Sequence, residues 1–151
     1  MAPNVTIRAL AEHDLSEWLR LRQLLWDQAS ENDHRDEMLD IIEQPESQCV
    51  AVADAGDGQL AGFLEASIRG FAEDCETDSV GYLEGWYVDE PYRRHGIGRD
   101  LVKFAESWAR SQGCREMASD AEAGNETSLD AHLHLGYEIT SRLVHLRKEL
   151  S

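Results

Sequence analysis

No stretch of this 151-residue chain approaches the roughly eighteen apolar residues that a membrane-crossing helix requires. The opening Met1-Ala2-Pro3-Asn4-Val5-Thr6 has no signal-peptide pattern. Cysteine is scarce. Cys49, Cys75 and Cys114 are odd in number and far apart, with no Cys-x-x-Cys pair. That spacing suits reduced thiols in a cytoplasm better than a disulfide framework or a zinc site. Basic residues are few as well: fourteen Lys and Arg stand against thirty Asp and Glu, a formal charge of −16. Nucleic acid and anionic membranes would be repelled by such a field, and a cationic small molecule or basic protein attracted. The same acidity also keeps a protein soluble. The length fits a single domain, 1–151, able to bury about two-thirds of its unfolded surface.

The most informative stretch is Tyr92-Arg93-Arg94-His95-Gly96-Ile97-Gly98. An apolar run, Tyr82 to Val88, precedes it, and an apolar-periodic segment from Ile97 to Trp108 follows. Such an Arg-x-x-Gly-x-Gly loop between a strand and a helix makes a nest of backbone N–H groups at a helix N-terminus. The glycines let the backbone approach a ligand, and the helix dipole favours an anion. A pyrophosphate is the expected occupant.

The remainder alternates between strands and helices without repeats or a linker. Val5 to Leu10 reads as a strand, and Asp14-Leu15-Ser16-Glu17 as a capping box opening a helix. Leu15, Trp18, Leu19, Arg22, Leu25 and Trp26 lie along one side of that helix. A second helix is expected from about Asp33 to before Pro45. Cys49 to Ala53 and Leu60 to Ile68 flank the turn Asp54-Ala55-Gly56-Asp57-Gly58, a hairpin. After a polar loop, Gly70 to Ser79, come the Tyr82 strand and the helix Ile97 to Gln112, which Gly113 ends. Glu116 to Ser119 is a short strand, Glu126 to Leu135 a helix closed by Gly136, and Arg142 to Arg147 a last strand. The order β-α-α-β-β-β-α-β-α-β predicts an α/β fold, a mixed sheet with helices on its faces.

That order, with the glycine loop between the fourth strand and third helix, resembles the GNAT family of acetyl-CoA-dependent N-acetyltransferases over nearly the whole chain. Within the family a closer likeness rests on Leu24-Leu25-Trp26, Leu64-Glu65-Ala66-Ser67-Ile68-Arg69, Leu83-Glu84-Gly85, Ala118-Ser119-Asp120-Ala121 with Asn125, and Leu135-Gly136-Tyr137. These strings look like aminoglycoside 6′-N-acetyltransferases. The resemblance implies acetyl-CoA as co-substrate, without a metal. Its pyrophosphate would lie on Arg94, His95, Gly96, Ile97, Gly98 and Arg99, its pantetheine arm along Trp86, Tyr87 and Val88, with Asn125 bonding the pantetheine. It further implies a cationic aminoglycoside acceptor held by Glu84 and Asp120, the latter as proposed base, and a homodimer.

Chemistry supports those roles. An amine near lysine's pKa of about 10.4 loses its proton at pH 7.5 only at a cost of about 4 kcal/mol. Asp120 follows a short strand, where ligands of such sheets gather, and Glu84 faces opposite to Leu83 and Gly85. A carboxylate pair attracts the cation, and like charges raise one member's pKa and improve it as a base. Trp26 offers an aromatic face to a sugar or cation, or packs in the core with Trp18. Phe71 is a candidate for the substrate wall. Asn125 is equally suited to capping the Glu126 helix. His132 occupies the position where many GNAT enzymes carry a tyrosine that protonates the leaving thiolate; packing is its other use. His132 and His134 point to different sides of their helix and make a poor metal pair. Glu65 and Arg69 share a strand face and are expected to form a surface pair.

Two positions depart from the resembling group. Ala29 stands where some members have a histidine, and Ser141 where they have an acidic residue, with Glu138 nearby. Two other readings stay open: an acetyltransferase for a polyamine or protein amine, and a non-catalytic acyl-CoA-binding module.

Overall fold

The computed structural model describes residues 4–151. Residues 1–3, part of the stretch read for a signal pattern, lie outside the described residues. The chain divides into two compact units, residues 1–119 and 120–151.

The first unit holds one five-stranded sheet whose spatial order follows the chain: β1 (Thr6–Ala9), β2 (Gln48–Gly56), β3 (Gln59–Arg69), β4 (Val80–Val88) and β5 (Glu116–Ser119). The first four pair antiparallel and β5 joins β4 in parallel. The β2–β3 turn uses the glycines the sequence placed there: Gly56 and Gly58 have φ of +88° and +75°, a left-handed conformation that glycine adopts without steric cost. Asp54 Oδ1 accepts the Gly56 N–H at 2.8 Å and closes the turn.

Helices α1 (Leu15–Leu25) and α2 (Glu31–Ile42) cover one face of the sheet, and α3 (Ile97–Ser111) the other. Side-chain alternation along β3 shows this division. Glu65 meets Trp18 and Arg22 of α1, whereas a Cβ at Gly62 would touch Leu101 of α3. Trp18, Leu21, Val52 and Phe63 are fully buried under α1. Leu64, Leu101, Val102 and Ala105 are fully buried as well, Leu101 with the α3 side.

The capping box expected at Asp14 does not form. Asp14 is buried, and its carboxylate accepts from Arg8 Nη1 and Nη2 at 2.7 and 2.9 Å and from the Ala11 N–H at 2.8 Å. A charge-assisted fork outcompetes a helix amide for the same oxygens. Glu17 likewise turns to Arg20 and to the Leu60 N–H, which fastens α1 to the start of β3. Helix α2 begins two residues before the expected Asp33, because Ser30 Oγ accepts the Asp33 N–H at 3.1 Å and caps it. The 70–79 loop is tied down at its end: Glu116 accepts from the Glu76 and Thr77 N–H groups and the Thr77 hydroxyl.

The second unit contains α4 (Glu126–His134), which ends at Gly136 with φ of +92°. The strand expected over Arg142 to Arg147 is not formed; residues 137–151 carry no helix or strand, and Leu143, Val144 and Leu146 are exposed. A strand needs a neighbour to pair with, and the apolar pattern alone does not supply one. Among the described residues, no helix is long and apolar enough to cross a membrane.

Candidate functional site

The loop before α3 has the geometry of an anion nest. Arg94 has φ of +69° and Gly96 +80°, so left-handed residues alternate with extended and helical ones and turn successive N–H groups inward. Gly96 is the N-cap of α3. The N–H groups of Ile97, Gly98 and Arg99 fall in its first turn, where helix geometry gives them no intrahelical acceptor. Gly98 keeps the approach open: a Cβ there would stand 3.2 Å from the Trp86 ring. Arg94, His95 and Arg99 are exposed around the nest, and Ile97 is buried beneath it. Arg93 is bound elsewhere, donating to the Val88 carbonyl at 2.8 Å with its guanidinium 5.4 Å from the Tyr87 ring centre.

Strand β4 carries two further features. Strand β5 pairs with it only over Val80 to Leu83. The Asp89 N–H bonds the Ala61 carbonyl at 2.7 Å on the β3 side. Gly62 and Val88 are opposite one another in the next register position, so antiparallel alternation turns the Val88 N–H toward the other edge, beyond the end of the β5 ladder. The β3–β4 register also slips by one: Glu65 faces Gly85 and Ala66 faces Leu83, leaving Glu84 as the extra residue of a β-bulge. Bulges re-aim a side chain and interrupt pairing. Here the bulge exposes Glu84 beside buried Leu83.

Glu84 is firmly held there. Its Oε1 accepts from Arg69 Nη2 at 2.7 Å, and its Oε2 from Arg69 Nε at 2.9 Å and the Ser67 hydroxyl at 2.5 Å. The Arg69 guanidinium carbon lies 3.5 Å from the centre of the buried Tyr82 ring. The expected Glu65–Arg69 surface pair is therefore absent. Arg69 serves Glu84, and Glu65 lies under α1.

Trp26 stands at the C-cap of α1, half-buried, its ring edge-to-face with Phe63 at 6.1 Å. The outer atoms of that ring rest on Gly85: a Cβ at this position would be 2.5 Å from Trp26 Cζ2 and nearer still to Cη2. Trp26 is thus set directly beside the residue that follows Glu84. Its position is fixed from beneath by a buried network that the sequence reading did not resolve. The fully buried Arg22 guanidinium lies 4.7 Å from the Trp26 ring centre and forms ion pairs with Glu65 and Glu37. Arg22 Nε donates to His34 Nδ1 at 3.2 Å, which leaves His34 Nε2–H to donate to the Trp26 carbonyl at 3.1 Å. Trp18 Nε1–H donates to Glu65 Oε2 at 2.9 Å. Burial pushes the Glu65 carboxyl above its ordinary range, and Arg22 and Trp18 oppose that rise. Arg22, which the sequence places on the same side of α1 as Trp18, Leu25 and Trp26, is a buried ionic strut. The only hint was Arg22 falling within the apolar stripe.

Phe71 is 69% exposed on the loop after β3. In the second unit, Asp120 is exposed and directly follows Ser119, the last residue of β5. Asn125 caps α4, its Oδ1 accepting the Ser128 N–H at 3.1 Å. His132 Nδ1 bonds the Ser128 carbonyl at 2.7 Å, and its ring meets Tyr137 edge-on at 5.7 Å. Among the described residues, no group of three or more His, Cys, Asp or Glu could hold a metal.

The first unit thus combines a five-stranded sheet with a parallel last pair, a bulge in β4 and an anion nest opening α3. The acetyltransferase (GNAT) family profile matches residues 18–137, and the chain belongs to that family. Among characterised relatives, the aminoglycoside N(6′)-acetyltransferase type 1 of Klebsiella aerogenes is 39% identical over 146 residues, 95% of this chain and 96% of the relative. The enzyme of the same name from Serratia marcescens is 38% identical over 143 residues, 93% and 97% of the two chains. Of solved structures, AAC(6′)-Iy bound to the bisubstrate analogue CoA-S-monomethyl-acetylneamine superposes with a TM-score of 0.90 at 32% identity, covering 97% of this chain and 99% of that one. AAC(6′)-Ih from Acinetobacter baumannii does so with 0.89 at 38% identity, covering 98% and 100%.

Proposed function

We propose that this chain is an acetyl-CoA-dependent aminoglycoside 6′-N-acetyltransferase, conferring resistance to those antibiotics, with residues 1–151 acting as one catalytic domain in the cytoplasm. The observation that carries the reading is the β4 bulge. It exposes a carboxylate, Glu84, one residue before Gly85, on which the Trp26 ring rests, on the strand whose edge runs past the end of β5. The relatives named above and the acidity of the chain, −16 in formal charge, favour a polycationic acceptor.

In this mechanism the nest of Arg94 to Arg99 takes the coenzyme's pyrophosphate, the edge of Trp86 to Val88 pairs with the pantetheine arm, and Asn125 bonds it through its Nδ2. Trp26, Phe71 and Glu84 hold the aminoglycoside. Asp120 removes the proton from the 6′-ammonium, providing the route for a deprotonation that costs about 4 kcal/mol at pH 7.5. The amine nitrogen then attacks the thioester carbonyl carbon, and the Val88 N–H donates to the oxygen as negative charge gathers there. A new N–C bond forms as the C–S bond breaks; the nitrogen gives up its second proton, and the departing thiolate takes one up, the two linked through water or through His132. The chain acts as a homodimer, a reading supported by exposed Leu143, Val144, Leu146 and Leu150 in residues 137–151. Sedimentation of the purified protein tests that point.

The acceptor is tested by incubating the enzyme with acetyl-CoA and neamine, spermidine or a lysine-rich peptide, locating the acetyl group by NMR. Acetylation at the 6′ nitrogen of neamine with the highest kcat/KM is expected. Higher kcat/KM for spermidine or the peptide would refute the assignment.

A further inference from the structure

The carboxylate assigned to the incoming amine already has a cation on it. A carboxylate offers about four lone-pair positions, and in Glu84 the Arg69 fork and the Ser67 hydroxyl fill three. An ammonium that approached Glu84 would meet a neutralised group unless Arg69 gave way. Arg69 has a second hold that it keeps if the carboxylate is taken: its guanidinium carbon already lies 3.5 Å from the centre of the Tyr82 ring, a face that attracts a cation. The pair is also part-exposed, 43% for Arg69 and 31% for Glu84, so water competes for both charges.

We infer that Arg69 is a resident competitor of the substrate ammonium: it occupies Glu84 in the free enzyme, gives up its bonds to Glu84 while staying over Tyr82 when a cationic acceptor binds, and so sets the threshold of affinity an amine must exceed. The inference rests on the reading of Glu84 as the acceptor's carboxylate. An internal competitor acts as a pre-equilibrium, reducing apparent affinity by the fraction of enzyme in which the site is open. A half-exposed bidentate pair gives a docked-to-open ratio of several to one. Removing the guanidinium should therefore strengthen acceptor binding roughly four- to tenfold. A residue that merely aligned Glu84 would have the opposite effect, weakening binding when lost.

The test is a double-mutant cycle by calorimetry with neamine, on wild type, Arg69→Gln, Glu84→Gln and the double variant. The competitor role predicts tighter neamine binding in Arg69→Gln, a smaller gain in Arg69→Lys, which still offers a point charge, and little gain from Arg69→Gln once Glu84 is glutamine. Coenzyme A affinity should be the same in all. Weaker neamine binding in Arg69→Gln would overturn the inference, as would a gain of equal size in the Glu84→Gln background. If Glu84→Gln itself leaves neamine affinity unchanged, the acceptor reading fails, and the competitor role with it. If Glu84→Gln weakens binding while Arg69→Gln also weakens it, the competitor role fails alone.

Discussion

Gly85→Ala should separate acceptor binding from the rest of the enzyme. A methyl group built on Gly85 would lie 2.5 Å from Trp26 Cζ2, and nearer still to Cη2. Carbon atoms in contact prefer about 3.5–4.0 Å, so the ring must withdraw by roughly 1–1.5 Å. Its retreat is opposed on two sides. Phe63 meets it edge-on at 6.1 Å, and Arg22, buried and ion-paired, lies 4.7 Å from its centre. Overpacking of this kind costs about 1–3 kcal/mol, which for a chain of this size lowers Tm by roughly 2–12 °C. A displaced Trp26 is misplaced relative to Glu84, and a positional error near 1 Å can reduce catalysis by about 10²-fold. The expected result is a large fall in kcat/KM for neamine with KM for acetyl-CoA near the wild-type value. Gly81→Ala is the control: its methyl would press on Met117 Sδ and Ala109, on the α3 side of the sheet. It should lower stability and leave neamine kinetics alone. If Gly85→Ala shows wild-type Tm and wild-type neamine kinetics, Trp26 does not rest where the argument requires.

Gly98→Asp should weaken coenzyme A binding without unfolding the domain, because it brings a negative charge into the nest and crowds the Trp86 ring at 3.2 Å; calorimetry with unchanged affinity would refute the pyrophosphate assignment. Asp120→Asn should lower kcat by roughly 10²–10⁴-fold if Asp120 is the general base, and a variant with near-normal kcat but raised KM would reduce its role to holding the amine. Asp14→Asn should destabilise the fold by about 1–3 kcal/mol at pH 7, and this difference should depend on pH. Arg8 holds the Asp14 carboxyl below its ordinary value, against burial and with help from the Ala11 N–H. The stabilisation is therefore fully present above the unfolded pKa near 3.9 and lost as pH falls through the lower folded value. Urea unfolding at pH 7 and below pH 3 measures it; a constant difference between the two pH values would contradict the ion-pair account.

Most of the fold is legible because each element carries its own punctuation. The Asp54 to Gly58 turn, the Gly113 stop and the Gly96 cap announce themselves through residues that positive φ angles require. Alternation marks β3 and β4 only partly, since both faces of β3 are covered by helices and a doubly buried strand reads as an unbroken apolar run. The Arg142 to Arg147 segment misleads for the opposite reason. It has strand-like composition, and composition states a preference that only a paired neighbour converts into structure.

The site divides along the same line. The anion nest is local, a matter of seven consecutive residues, and its geometry follows the spacing of the glycines. Glu84 is also visible, but its surroundings are not, since they depend on a bulge whose place is set by pairing between strands. Arg69 lies fifteen residues before Glu84 and opposes Val80 in register. The slip at Glu65 belongs to the same stretch of ladder that brings the two side chains together. Arg22 shows what the sequence pattern leaves out. The sequence places it on the apolar side of α1, and the fold buries it there, but its partners Glu65, Glu37 and His34 come from other elements. Removing one partner of a buried pair costs about 3–5 kcal/mol because the other charge is stranded. The network is thus a strong constraint on where α1 ends, and Trp26 is the residue that caps that end. The position of the Trp26 ring is therefore constrained by a fully buried arginine.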